Sequence, residues 1–220
     1  MNFLTAMRKY SAFLLDIILP RKARTLRAEH WTLHDLVVSP KDHDACGIRI
    51  TTLLDYKNPA VEDCIRSLKY DGSSHSAKLL AEALADYLRE EIAQARSFSP
   101  RPIFLVPIPL YKTRERERGF NQVESVLKKL PKEFLDGTLA TFVPRALART
   151  RETKQQTRLS RTERLQNVTG AFSASLSESV RDSHIFLIDD VTTTGATLAE
   201  ATRALEQEGV EVSALALARA

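Results

Sequence analysis

Residues 184–209 constrain this chain more than any other segment. Ile185-Phe-Leu-Ile188 is a short, continuous apolar run, which fits a strand buried on both faces of a parallel sheet. Asp189 and Asp190 follow at once, then Val191, Thr192, Thr193, Thr194, Gly195, Ala196 and Thr197, then a helical pattern over 198–205 that Gly209 stops. In an open α/β sheet, ligands bind beyond the carboxyl ends of the strands, which is where this loop falls. Small and hydroxylated residues let the backbone wrap closely, so that N–H groups and threonine hydroxyls can point at one phosphate while the helix N-terminus adds partial positive charge. The two carboxylates just upstream only accept hydrogen bonds when ionised, and so suit the vicinal hydroxyls of a ribose better than a second phosphate. The segment therefore matches a ribose 5-phosphate. Part of the pattern has a plainer explanation, since Asp and Thr cap helices and Thr197 with Glu200 has capping-box spacing. Capping does not account for two adjacent carboxylates, four threonines and a glycine within nine residues. The chain has no GxxxxGK[ST] and no GxGxxG, which disfavours a P-loop nucleotide hydrolase or a dinucleotide fold.

The rest of the 220 residues, 43% of them hydrophobic, can bury one full core with an appendage. A helix is expected over 3–19, stopped by Pro20, and then an irregular arm or small subdomain to about Asp55. Val61, Ile65 and Leu68 mark a helix that Asp71-Gly72 ends, and Leu80, Leu84, Tyr87, Leu88 and Ile92 form the apolar stripe of a second. Residues 103–106 read as a buried strand, which Pro107 and Pro109 cannot continue. A charged loop to Gly119, a helix from Val123 to before Pro131, a strand around 141–147, a polar loop over 149–167, a return to the sheet at 168–172 and a last strand at 212–217 complete the pattern. Alternating strands and helices predict an α/β fold, a mostly parallel central sheet flanked by helices on both faces.

Charge is unevenly placed. Residues 110–166 hold fourteen Lys and Arg against seven Asp and Glu, although the whole chain carries only +4. Arg114, Arg116 and Arg118 alternate with Glu115 and Glu117, a pattern that suits a self-paired solvated face and an anion site equally. The run Arg145, Arg149, Arg151, Lys154, Arg158, Arg161, Arg164 is less balanced and could neutralise a diphosphate or track single-stranded DNA. Only Phe142 and Phe172 lie near it for stacking on bases. Asn121 is placed to cap a helix, Tyr56 and Tyr70 suit either a base or the core, and His75 and His184 read as structural. Cys46 and Cys64 form no CxxC knuckle, and a reduced, cytoplasmic setting is expected. The apolar stretch 12–19 is interrupted by Asp16 and too short to span a bilayer, so no membrane insertion is expected.

The acidic loop resembles that of the type I phosphoribosyltransferases. Val106-Pro-Ile-Pro-Leu, Arg116-Glu-Arg-Gly-Phe-Asn-Gln122, and the pattern Thr153…Gln156-Thr…Leu159-Ser-Arg…Arg164…Asn167-Val…Gly170-Ala-Phe172 together resemble the ComF/GntX family, associated with natural competence and DNA uptake. Three motifs in order, over 56–220, are more specific than one. The resemblance implies a type I phosphoribosyltransferase domain over 56–220, preceded by a helical arm or hood over 1–55. It implies phosphoribosyl diphosphate as ligand, with Asp189 and Asp190 on the ribose hydroxyls and stabilising transition-state charge, and residues 191–197 on the 5-phosphate. Tyr111, Lys112 and Arg114 would face the diphosphate, where charge-assisted bonds are strong. Arg149, Thr153, Lys154, Gln155, Gln156, Arg161 and Arg164 would belong to a flexible loop that closes over the substrate. Magnesium is implied with the diphosphate, bound by its oxygens and water rather than by a protein cage. Relatives usually open with a four-cysteine zinc module, but here the corresponding stretch is Arg21-Lys-Ala-Arg-Thr25, so no zinc is expected. Two functions follow: a binding protein serving DNA uptake, with single-stranded DNA or uptake proteins as partners, or a working phosphoribosyltransferase that transfers phosphoribosyl to a base or amine and releases diphosphate. Either is compatible with an oligomer.

Overall fold

The structure is a computed structural model in which residues 23–151 and 168–220 are described. The expected helix over 3–19 and the loop candidates Thr153, Lys154, Gln155, Gln156, Arg161 and Arg164 lie outside the described residues. The described strands are β1 (Lys41–Ala45), β2 (Ile48–Asp55), β3 (Ile103–Pro107), β4 (Thr141–Phe142), β5 (Leu147–Arg149), β6 (Phe172–Ala174), β7 (His184–Thr192) and β8 (Glu211–Arg219). The helices are α1 (Ala23–Ala28), α2 (Pro59–Asp71), α3 (Ser74–Phe98), α4 (Lys112–Arg118), α5 (Gln122–Leu127) and α6 (Ala196–Glu206).

Six strands form one sheet in the order β1-β2-β8-β7-β3-β4, parallel throughout except for β1. The period-2 alternation of a strand divides its side chains between two cores. Leu105, Phe186, Ile188, Leu215 and Leu217 pack under α2, α3 and α5, while Phe104, Val106, Ile185, Leu187 and Ala216 pack against α6 and the small antiparallel pair β5-β6. Leu105, Ile185, Leu187 and Ile188 are 0% exposed, and each such burial stabilises the fold by roughly 1.5–3 kcal/mol. The continuous apolar runs at 103–106 and 185–188 thus reflect burial on both faces.

The chain leaves β3 outward toward β4 and leaves β7 the other way toward β8, although β3 and β7 are neighbours. Their carboxyl ends therefore flank the point where the winding reverses, the crevice in which open α/β sheets bind ligands.

Several expectations need correction. Residues 41–55 are a hairpin, not an irregular segment, and β2 joins the main sheet beside β8. The return at 168–172 does not reach that sheet, because Phe172–Ala174 pairs with β5. The charged loop before Gly119 is largely the helix α4, and β7 runs four residues beyond Ile188, carried by its ladder with β8. At the N-terminus, α1 docks on α2 through Asp63, which accepts from Arg27 Nη2 at 2.8 Å, Arg27 Nε at 3.1 Å and Trp31 Nε1 at 3.3 Å. Among the described residues no helix is long and apolar enough to cross a membrane.

Candidate functional site

Asp189 and Asp190 lie in the last turn of the β7 ladder, Asp189 opposite Ala216 of β8. Consecutive strand residues point to opposite faces, so the two carboxylates have different neighbours. Asp190 points toward α2 and α5 and is 6% exposed. Its Oδ2 accepts from Gln122 Nε2 at 2.9 Å and lies 4.0 Å from Lys69 Nζ, and its Oδ1 accepts from Val191 N at 2.7 Å. Asp189 Oδ1 accepts from Asp190 N at 2.8 Å. Burial, reinforced by the Asp190 charge, pushes the Asp189 carboxyl up to about 8.

Gln122 is the first residue of α5, and Asn121 caps that helix by accepting from Val123 N at 2.9 Å and Glu124 N at 3.4 Å. The Asn121 amide also donates to Ile108 O at 3.0 Å, and Ile108 N donates to Ile188 O, which ties the exit from β3 to β7. The cap expected at Asn121 is present. Gln122 and Lys69, neither singled out among the site candidates, supply the nearest polar contacts of Asp190; the only signal for Gln122 in the sequence is its place in the Arg116–Gln122 motif string.

Beyond the carboxylates, the threonine-rich loop leads into α6. Gly195, in the left-handed region at φ 77°, is the N-cap residue, which overturns the capping box expected from Thr197 and Glu200. Glu200 instead accepts from Gly170 N and from Arg203. Thr193 is exposed, Thr194 and Thr197 are half-buried, and Val191 and Thr192 still belong to β7. The β1-β2 hairpin leans directly on this loop. A Cβ at Gly195 would lie 2.6 Å from Ile50 Cδ1 and 2.7 Å from Ala45 Cβ. The Cys46 thiol donates to Thr194 O at 3.3 Å, and Arg203 Nη2 donates to Cys46 O at 2.7 Å. A cavity of about 200 Å³ lies between hairpin and loop, bordered by Thr192, Thr193, Thr194, His43 and Arg219. His43 and Arg219 also border a cleft of about 820 Å³ over the carboxyl ends of β2 and β8. Burial, and then Arg219, hold the His43 imidazole below its ordinary value.

On the other side of β7, Arg149 ends β5 with its guanidinium 5.3 Å from the centre of the Phe172 ring. Burial pulls its pKa down, the Arg114 charge adds to the fall and Asp189 opposes it, so the Arg149 guanidinium feels both Arg114 and Asp189. Tyr111 is the N-cap residue of α4 and Lys112 its first residue, just beyond the end of β3. Among the described residues no salt bridge joins Arg114, Arg116 or Arg118 to Glu115 or Glu117, which weakens the self-paired reading of α4. His75 and His184 have structural partners, Trp31 O at 3.1 Å and Ser213 Oγ at 2.8 Å. Cys64 is buried in α2.

Residues 117–219 match the family model of the phosphoribosyl transferase domain. The chain is 32% identical to the DNA utilization protein YhgH of Escherichia coli K12 over 163 residues, 73% of this chain and 67% of that protein. The chain belongs to the ComF/GntX family. Competence protein F of Haemophilus influenzae is 32% identical, over 71% of this chain and 66% of that protein, and competence protein ComFC of Streptococcus pneumoniae is 30% identical, over 76% and 66%. The phosphoribosyltransferase sheet of this ComF/GntX chain thus places its acidic pair and threonine loop at the switch point between β3 and β7.

Proposed function

We propose that this chain binds phosphoribosyl diphosphate at the carboxyl ends of β3 and β7, and that it does so in the service of DNA utilization or uptake, as the names of its relatives suggest. The observation that carries the reading is the junction of β7 and α6, where an acid pair runs straight into a loop whose Gly195 is pressed by the hairpin. Residues 192–197 would take the 5-phosphate through backbone N–H groups and threonine hydroxyls. The acid pair would meet the ribose hydroxyls. Tyr111, Lys112, Arg114 and Arg149 would face the diphosphate, a role supported by the Arg149 guanidinium, which feels both Arg114 and Asp189. Magnesium would be carried by the diphosphate oxygens and water rather than by a protein cage. When bound, the metal would neutralise diphosphate charge.

Hydrogen exchange tests this placement. Phosphoribosyl diphosphate with magnesium should slow exchange at the 193–197 amides, whereas unchanged exchange at saturating ligand would remove the 5-phosphate assignment. A second reading, turnover, is favoured by Arg114 and Arg149, which would stabilise departing diphosphate, and by the cleft beside His43 and Arg219, which leaves room for an acceptor. Diphosphate release with a panel of bases and amines would support turnover, and none with any member would leave the binding role alone.

A further inference from the structure

The two carboxylates at the end of β7 lie on opposite faces of the sheet. Asp190 falls on the face of Phe186 and Ile188, under α2 and α5, and is 6% exposed. Its oxygens are already engaged there: Oδ2 accepts from Gln122 Nε2 at 2.9 Å and lies 4.0 Å from Lys69 Nζ, and Oδ1 accepts from Val191 N at 2.7 Å. Gln122 is 5% exposed and is itself held, because Arg118 Nη1 donates to its Oε1 at 3.0 Å. A guanidinium has no acceptor, so this contact leaves the N–H end of the amide to face Asp190. Water competes little for bonds buried in this way. Asp189 is placed otherwise. It falls on the face of Ile185 and Leu187, which is the face of α6 and of the β5-β6 pair, and it is half-buried. Among the described residues it accepts from Asp190 N at 2.8 Å and from no side chain outside the pair.

The groups assigned to the two ends of the ligand lie on the Asp189 face. The threonine-rich loop opens α6, and Arg149 ends β5, where its guanidinium feels the Asp189 charge. A ribose that joins a phosphate held by the one to a diphosphate held by the other has to cross β7 on that face, over Asp189. We propose that Asp189 is the carboxylate that takes the ribose hydroxyls, and that Asp190 is a positioning residue. Held from behind by Gln122 and Lys69, Asp190 fixes the peptide whose N–H orients Asp189 Oδ1. The acid pair thus meets the ribose through one member while the other anchors it. The anchor also reaches the diphosphate side of the site, since Arg118 closes the last turn of α4, the helix that begins at Lys112.

The division deepens the phosphoribosyl-binding reading and rests on it for its ligand, so each half has its own test. For the ligand half, NMR titration gives the affinities of the wild type, Asp189→Asn and Asp190→Asn for ribose 5-phosphate and its 2-deoxy and 3-deoxy analogues. The wild type should prefer the full ribose over at least one deoxy sugar by about tenfold to a hundredfold, the scale of a hydrogen bond to a charged group. Asp189→Asn should largely erase that preference. Asp190→Asn keeps an acceptor for Gln122 and the same backbone N–H, and should retain it. The readout is a ratio between ligands, which a general loosening of the fold does not move. Equal loss in the two variants, or loss in Asp190→Asn alone, would overturn the assignment. For the anchor half no ligand is needed. Asp190→Ala should speed hydrogen exchange at the Val191 amide and across the start of α5 by about tenfold or more, the scale of one lost buried hydrogen bond, while Asp189→Ala leaves both near wild type. Gln122→Met removes the side-chain donor alone and serves at α5 if Asp190→Ala does not fold. Exchange no faster with the anchor cut than in Asp189→Ala would sink the positioning role. A wild type that binds none of the three sugars would remove the phosphoribosyl reading and the Asp189 role with it, and the exchange result would still decide the anchor.

Discussion

Replacing Gly195 by alanine probes the contact on which the phosphate loop rests. The added Cβ would lie 2.6 Å from Ile50 Cδ1 and 2.7 Å from Ala45 Cβ, at a backbone φ of +77°. The Ile50 methyl is the end of a flexible side chain and can turn away. Ala45 Cβ is one bond from the hairpin backbone, so the hairpin or the loop must move. Holding alanine in the left-handed region costs about 1–2 kcal/mol, and overpacking adds about 1–3 kcal/mol. Gly119 separates the two terms, because its φ is +76° and an added Cβ there meets nothing within 4 Å. Gly119→Ala should lose only the conformational term. Gly195→Ala should lose about 1–3 kcal/mol more in chemical denaturation, an extra fall of several degrees in Tm for a domain of this size. It should also weaken binding at the loop, since relief by hairpin movement breaks the Cys46–Thr194 and Arg203–Cys46 hydrogen bonds. Equal losses for the two variants would refute the claim that the hairpin is seated on the loop.

Further outcomes follow from single contacts. Asp189 is held protonated to about pH 8, while an unfolded carboxyl releases its proton near pH 4, so between those values the native state binds the extra proton and stability falls as pH rises. Asp189→Asn should flatten that slope, at most about 1.4 kcal/mol per pH unit, in urea titrations at several pH values; an unchanged slope would place the proton elsewhere. Asn121→Ala removes a cap of two N–H groups and leaves Ile108 O without its amide donor, and should cost about 1–3 kcal/mol in denaturant unfolding; a loss within error would contradict the buried cap. Asp63→Ala deprives Arg27 and Trp31 of their shared acceptor, and should speed hydrogen exchange across α1 while α3 is unaffected; uniform exchange would mean that α1 is held otherwise.

The elements legible in the sequence were those that burial writes into it. The double-faced apolar runs at 103–106 and 185–188 and the stripes of α2 and α3 report cores on both faces of the sheet, and the Asp-Asp-Val-Thr-Thr-Thr-Gly string reports the loop. The hairpin was not legible, because β1 is a charged edge strand, Lys-Asp-His-Asp-Ala, whose polar residues keep an edge from pairing with other chains. Its turn places Cys46 at φ 56°, a conformation for which cysteine is no signal. The continuation of β7 through Asp189 to Thr192 depends on the ladder with β8, a tertiary contact that overrides local propensity. For the same reason, Gln122 and Asp190, 68 residues apart, meet because β3 and β7 are neighbours and Asn121 ties the start of α5 to Ile108, just past the end of β3.

Calorimetric titration of phosphoribosyl diphosphate with magnesium into the wild type and into the Asp189→Asn, Asp190→Asn double variant tests the central claim most directly. Saturable 1:1 binding by the wild type, lost in a double variant that still unfolds cooperatively, is the predicted result. Binding that survives the double change, or a wild type that takes up no ligand, would contradict it.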